Sequence, residues 1–185
     1  MKSKALLVKL AASLVPLITV FGFAESSHAQ TPKFFCGMGI DGKGPATFVN
    51  TFRYGNLELI RWQDAAFGSY YTPQKRCEDV SARFQKFYEK GLLEYIRTAT
   101  FKGQPVLCVA TDKGGACLPN GLLITLKRGT DPKVILEQIK DSQALTTGKP
   151  IYLSENDVIS VVHGETYLDI TILSGEGNAE SERGL

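Results

Sequence analysis

Cys36, Cys77, Cys108, Cys117 and His163 are the residues beyond position 30 with the greatest capacity for covalent or metal chemistry. Cys77 stands among charges in the run TPQKRCEDVSARFQKF, and Arg76 together with a helix start just before it would lower a free thiol's pKa. A thiolate nucleophile, however, needs an unpaired sulfur and normally a base beside it. Zinc would need a ligand set such as paired CxxC motifs, and there is no CxxC here and, beyond position 30, only His163 to add. An even number of cysteines in an exported chain instead implies disulfides, and four cysteines allow three pairings. In VLCVATDKGGACL, a four-residue loop at Thr111–Gly114 would set Cys108 opposite Cys117. Directly opposed strand residues are about 4.5–5.5 Å apart at Cα, which a disulfide spans. Cys36 is then left for Cys77, and the expected pairs are Cys36–Cys77 and Cys108–Cys117.

Three other features invite a chemical reading. Gly37, Gly39 and Gly42 satisfy GxGxxG, but Gly44-Pro45 and a strand-like ATFVNTF follow where a dinucleotide site requires a helix. The glycines therefore read as a loop, and no cofactor is expected. His163 lies near Glu165, with Asp157 and Asp169 along the chain, so an acid-assisted hydrolytic site has the residue types it needs. No GxSxG elbow accompanies it. Arg61, Trp62, Phe67, Tyr70 and Tyr71 concentrate aromatic rings around one cation, a composition suited to a stacking and cation–π binding surface or to sealing a core.

The chain begins with Lys2, Lys4 and Lys9 around an uncharged apolar run, Leu10 to Phe23, of signal-peptide rather than membrane-spanning length. Ser27 and Ala29 place small residues for a cut before Gln30, so residues 1–29 are expected to be a signal peptide. Its removal takes three lysines and one glutamate from 21 basic and 19 acidic residues, leaving 18 of each. A neutral mature chain lacks the broad basic field that nucleic acid would require. Residues 30–174 are expected to form one domain, and 175–185, without apolar periodicity, a disordered tail.

The elements that must position these residues can be read along the chain. KFFC, ATFVNTF and LELIRW suit strands, the latter two joined by a turn at Gly55-Asn56. Thr72-Pro73 is a helix start, and Cys77, Val80, Phe84, Phe87 and Tyr88 then recur at helical steps up to Gly91. Lys75, Glu78, Asp79, Arg83, Lys86 and Glu89 fall on the opposite, solvated face. LEYIRTATF, PVLCVA, GACL and LLITLK predict further strands. A second helix should run from Pro132, capped by Asp131 or Thr130, to a stop near Gly148, with one or two more strands beyond. Short turns between neighbouring strands point to an α+β fold: mainly antiparallel sheet with two principal helices packed on it and two disulfides.

Phe34–Cys36, Arg61-Trp62, Phe67, Thr72–Phe84, Pro105–Val109 and Cys117–Leu126, in this order and with all four cysteines, resemble the circadian oscillating polypeptide family of cyanobacteria. The resemblance spans Phe34 to Ala144 and implies a periplasmic or thylakoid-lumenal location, with peripheral membrane association. It supplies no catalytic residues. Residues and resemblance together favour a non-catalytic, disulfide-stabilised domain that binds a protein or envelope component over an enzyme, with no metal. The rival is an envelope hydrolase built on His163 and its neighbouring acids.

Overall fold

The helix α1 spans Pro73–Glu89, and local chemistry accounts for both of its ends. Thr72 is extended and its hydroxyl accepts from the Lys75 N–H at 3.2 Å, while Pro73 follows without a donor to waste. At the other end Gly91 takes φ +63°, and Gly91 and Leu92 donate to the carbonyls of Tyr88 and Phe87. This pair of bonds satisfies the last orphan carbonyls in the manner of a Schellman cap. In a computed structural model, residues 33–51, 55–63, 68–147 and 158–171 are described. The expected signal peptide, the tail, Phe67, Asp157 and the helix stop near Gly148 lie outside those residues.

Two antiparallel sheets flank the helices. Strands β1 (Phe34–Met38), β2 (Pro45–Thr51) and β3 (Gly55–Arg61) form a three-stranded meander. Gly55 and Asn56 open β3, paired to Thr51 and Asn50, rather than making the turn the sequence suggested. The second sheet has the order β6-β5-β4-β8-β7, with β4 at Tyr95–Phe101, β5 at Gln104–Ala110, β6 at Leu122–Thr125, β7 at Ile159–Val162 and β8 at Glu165–Asp169. Both short hairpins turn on left-handed pairs, Lys102-Gly103 and His163-Gly164, as two-residue loops matched to strand twist require. The α+β class and antiparallel pairing stand as the sequence indicated. All described residues fall within one compact unit, Thr31–Leu185.

The stripe Cys77, Val80, Phe84 and Phe87 of α1 is buried, with Phe34 of β1 meeting the Phe84 ring at 5.3 Å. Helix α2 (Pro132–Thr147) buries Leu136 and Ile139 and packs between β3 and the five-stranded sheet. These faces share a core with Leu57, Ile96, Leu107, Val109 and Leu168. Burying each large apolar side chain supplies about 1.5–3 kcal/mol, so the core rather than helix propensity holds the layers together. Arg83 departs from the solvated face assigned to it: its Nη1 donates to the Leu123 carbonyl of β6 at 2.8 Å.

The segment GACL is not a strand. β5 pairs with β6, and residues 111–121 cross as a loop whose C-terminal part folds back on Val109. Val109 accepts from the Leu118 N–H at 2.8 Å and donates to the Gly121 carbonyl at 2.9 Å. Asn120 at φ +58° and Gly121, where a Cβ would come 2.8 Å from the Leu118 carbonyl, turn the chain sharply back into β6. Turn chemistry has overridden the apolar alternation of GACL.

Candidate functional site

All four sulfurs are used. Cys36 bonds to Cys77 and Cys108 to Cys117, with Cα separations of 5.5 and 5.6 Å, and no free cysteine remains. The first bond fixes edge strand β1 to the buried stripe of α1. The second pins the 111–121 loop to β5. Beside it, the Arg97 guanidinium lies 5.1 Å from the centre of the Tyr167 ring. Arg97 and the Tyr167 hydroxyl both donate to the Gly115 carbonyl, at 2.8 and 2.9 Å. Cys77 is wholly buried, so nucleophilic chemistry has neither a thiol nor access there.

The GxGxxG loop is wrapped around an arginine. Arg61 Nε and Nη2 donate to the two oxygens of Glu58 at 2.7 Å each, and Nη1 donates to Asp41 and to the Lys43 carbonyl. Glu58 also accepts from the Ile40 N–H at 3.0 Å. Glu58's hydrogen bonds, then Asp41's, raise the guanidinium's pKa above its usual value. The Lys43 N–H, then Arg61, hold the Asp41 carboxyl below its own. A Cβ on Gly39 would fall 2.3 Å from Arg61 Cζ, so the glycine makes room for the guanidinium. Strand β2, not a helix, follows the loop.

Of the aromatic cluster, Trp62 is only 4% exposed. Its indole N–H donates to the Thr47 hydroxyl at 3.0 Å, and that oxygen also accepts from the Ser81 hydroxyl at 3.0 Å. Thr47 and Ser81 are themselves buried, so a polar triad joins β2, the end of β3 and α1 inside the core. The Arg76 guanidinium covers the indole face at 4.6 Å from its centroid. Tyr70 is 98% exposed and Tyr71 half-buried. The cluster is therefore divided: Trp62 faces inward, Arg61 is occupied by Glu58 and Asp41, and Tyr70 stands in solvent.

Around the Trp62–Arg76 stack lie two adjoining chambers. The larger, of about 590 Å³, is a trough between α2, β3 and β6, floored by Leu59, Ile124, Leu126, Ile135 and Ile139. The smaller, of about 310 Å³, collects Arg76, Arg83, Tyr71, Gln104 and Thr125. Trp62, Arg76 and Ile124 belong to both walls. Ligand sites are commonly concavities of this size, mostly apolar with a few converging polar groups. Sequence analysis did not find Arg83, Ile135 or Ile139 as site residues. The seven-residue step from Arg76 to Arg83, which puts both on one helix face, was the available signal.

His163 is exposed, at φ +51° in the β7–β8 turn, where histidine's tolerance of the left-handed region explains its presence. Among the described residues none bonds to its side chain; Glu165 instead accepts from the Thr98 hydroxyl at 2.6 Å. Asp169 accepts from Thr171. Among the described residues, no three His, Cys, Asp or Glu side chains gather as a metal site.

The cysteine staples, the Trp62 region and the capped α1 lie in a stretch with a counterpart elsewhere: residues 33–173 match the circadian oscillating protein COP23 family. The chain belongs to that family. No curated protein and no solved structure matches it. The COP23 match extends past the region first singled out, through β7 and β8. It thus embraces both sheets, both helices and both chambers.

Proposed function

We propose that this COP23-family protein is an exported, non-catalytic binding domain, and that the trough beside Trp62 receives a protein or envelope component. The observation that carries the reading is the apolar trough between α2, β3 and β6, with Arg76 stacked on Trp62 at its inner end. Such a concavity supports recognition through buried area and a few fixed polar contacts. Two disulfides suit an oxidising compartment such as the periplasm or thylakoid lumen. Among the described residues no helix is long and apolar enough to cross a membrane. The test is capture from envelope extracts on immobilised protein, with Ile135→Asp as the control that places a charge in the trough. Specific capture lost in that variant is the expected result. Equal capture by both proteins, or none by either, would overturn the proposal.

A further inference from the structure

We infer that Asn120 is a latent deamidation site, kept intact by a turn that the Cys108–Cys117 disulfide restrains. Asn120-Gly121 is the chain's only Asn-Gly step, and Asn120 is exposed to water. In such a step the Gly121 nitrogen, after losing its proton to base, attacks the carbonyl carbon of the Asn120 side chain. A C–N bond forms within a five-membered succinimide, the bond to the side-chain nitrogen breaks, and ammonia leaves. Water then opens the ring at either carbonyl, giving aspartate or isoaspartate. Glycine offers the least hindered nucleophile for this, because it carries no Cβ.

The native turn withholds that reaction. The Gly121 N–H donates to the Leu118 carbonyl at 2.8 Å, across Pro119 and an Asn120 at φ +58°. Proline in the second position and a positive φ in the third define a type II turn, whose third residue has ψ of about 0°. Ring closure needs the Gly121 nitrogen eclipsed with the Asn120 Cβ, so ψ must turn well away from that value. The rotation breaks the Leu118 bond and also the 2.9 Å bond from the Val109 N–H to the Gly121 carbonyl. Leu118 backs the turn so closely that a Cβ on Gly121 would meet its carbonyl at 2.8 Å. Cys117, next to Leu118, is bonded to Cys108, and Arg97 and Tyr167 hold the nearby Gly115 carbonyl. Deamidation therefore waits on local opening of the turn, which the disulfide opposes. Isoaspartate adds an atom to the main chain at the entry to β6, where Leu123 and Ile124 are buried, so the product does not fit the native register.

The test follows two rates at mildly alkaline pH: conversion of Asn120 by peptide mapping, and hydrogen exchange of the Gly121 amide by NMR. The samples are the oxidised protein, the same chain unfolded in urea, Pro119→Ala, and Cys108→Ala combined with Cys117→Ala. Conversion should be slower in the folded protein than in the unfolded chain, by the factor that protects the Gly121 amide from exchange. Pro119→Ala frees the open turn and keeps the disulfide, and should speed both rates about two- to fivefold. The paired alanines should speed both further, with about eightyfold as the ceiling set by loop-closure entropy. If that variant unfolds, a urea series on the wild type below its transition replaces it, and the two rates should rise in proportion. Conversion as fast in the folded protein as in the unfolded chain would overturn the inference. So would faster Gly121 exchange without faster conversion, or conversion unchanged by both Pro119→Ala and loss of the disulfide.

Discussion

Replacing Thr47 by valine preserves the side chain's shape and removes one oxygen that serves two buried donors. The indole N–H of Trp62 and the hydroxyl of Ser81 both reach that oxygen at 3.0 Å, and all three residues are at most 4% exposed. Leaving a buried donor without an acceptor costs about 1–3 kcal/mol. The indole cannot turn away without unpacking, so it bears a full penalty. The serine hydroxyl can rotate toward a carbonyl of its own helix and bears little. Thr47→Val should therefore cost about 2–3 kcal/mol, equivalent to about 5–10 °C in Tm for a chain of this size. Thr47→Ser keeps the oxygen, loses one methyl and should cost about 1 kcal/mol. Ser81→Ala should fall at or below that value, since Trp62 keeps its acceptor. Urea unfolding followed by Trp62 emission measures all three. Equal losses for Thr47→Val and Thr47→Ser, or a neutral Thr47→Val, would refute the reasoning that the hydroxyl holds the indole in place.

Three other perturbations have defined outcomes. By loop-closure entropy, removing Cys36–Cys77 with paired alanines should cost about 4 kcal/mol and removing Cys108–Cys117 about 2.6 kcal/mol, because their sequence separations are 41 and 9; urea midpoints in the opposite order would contradict this. Gly39→Ala should destabilise by about 1–2 kcal/mol by displacing the bound Arg61 guanidinium, and thermal melts should show a smaller cost in an Arg61→Met background. Asp41 and Asp79 are held below the usual 3.8, Asp41 by the Lys43 N–H and then Arg61, Asp79 by its hydrogen bond from Lys75. Their contribution to stability is present above pH 3.8 and lost as pH falls through the lowered values, since the unfolded chain takes up protons first. Urea midpoints between pH 6 and pH 2.5 should fall less steeply in Asp41→Asn and Asp79→Asn, and unchanged slopes would remove those pairs from the account.

What the sequence disclosed was local or covalently constrained. Thr72-Pro73, the spacing of Cys77, Val80, Phe84 and Phe87, and Gly91 define α1 because capping and helical period act over a few residues. The disulfide partners were also legible, although Cys117 reaches Cys108 from a crossing loop and not from an opposed strand. The turns at Asn120-Gly121 decided that geometry, and alternation in GACL misled. The division into two sheets, and β8 beside β4, depend on pairings between residues about 70 positions apart that no local pattern encodes. The trough was hidden for the same reason, since α2, β3 and β6 bring its floor together from separate stretches. Trp62 was noticed as an aromatic near a cation, but its cation is Arg76 from α1, not the adjacent Arg61. Register across β2 placed Thr47 beneath it, which sequence proximity alone does not reveal.

The sulfur of Cys36, Cys77, Cys108 and Cys117 is structural, joined as two cross-links that hold β1 to α1 and the 111–121 loop to β5. Thiol titration and non-reducing peptide mapping of the protein isolated from its own compartment test this most directly. Two cross-linked peptides, Cys36 with Cys77 and Cys108 with Cys117, and no titratable thiol are the predicted result. A peptide joining Cys36 to Cys108, or free thiols at these positions, would contradict it.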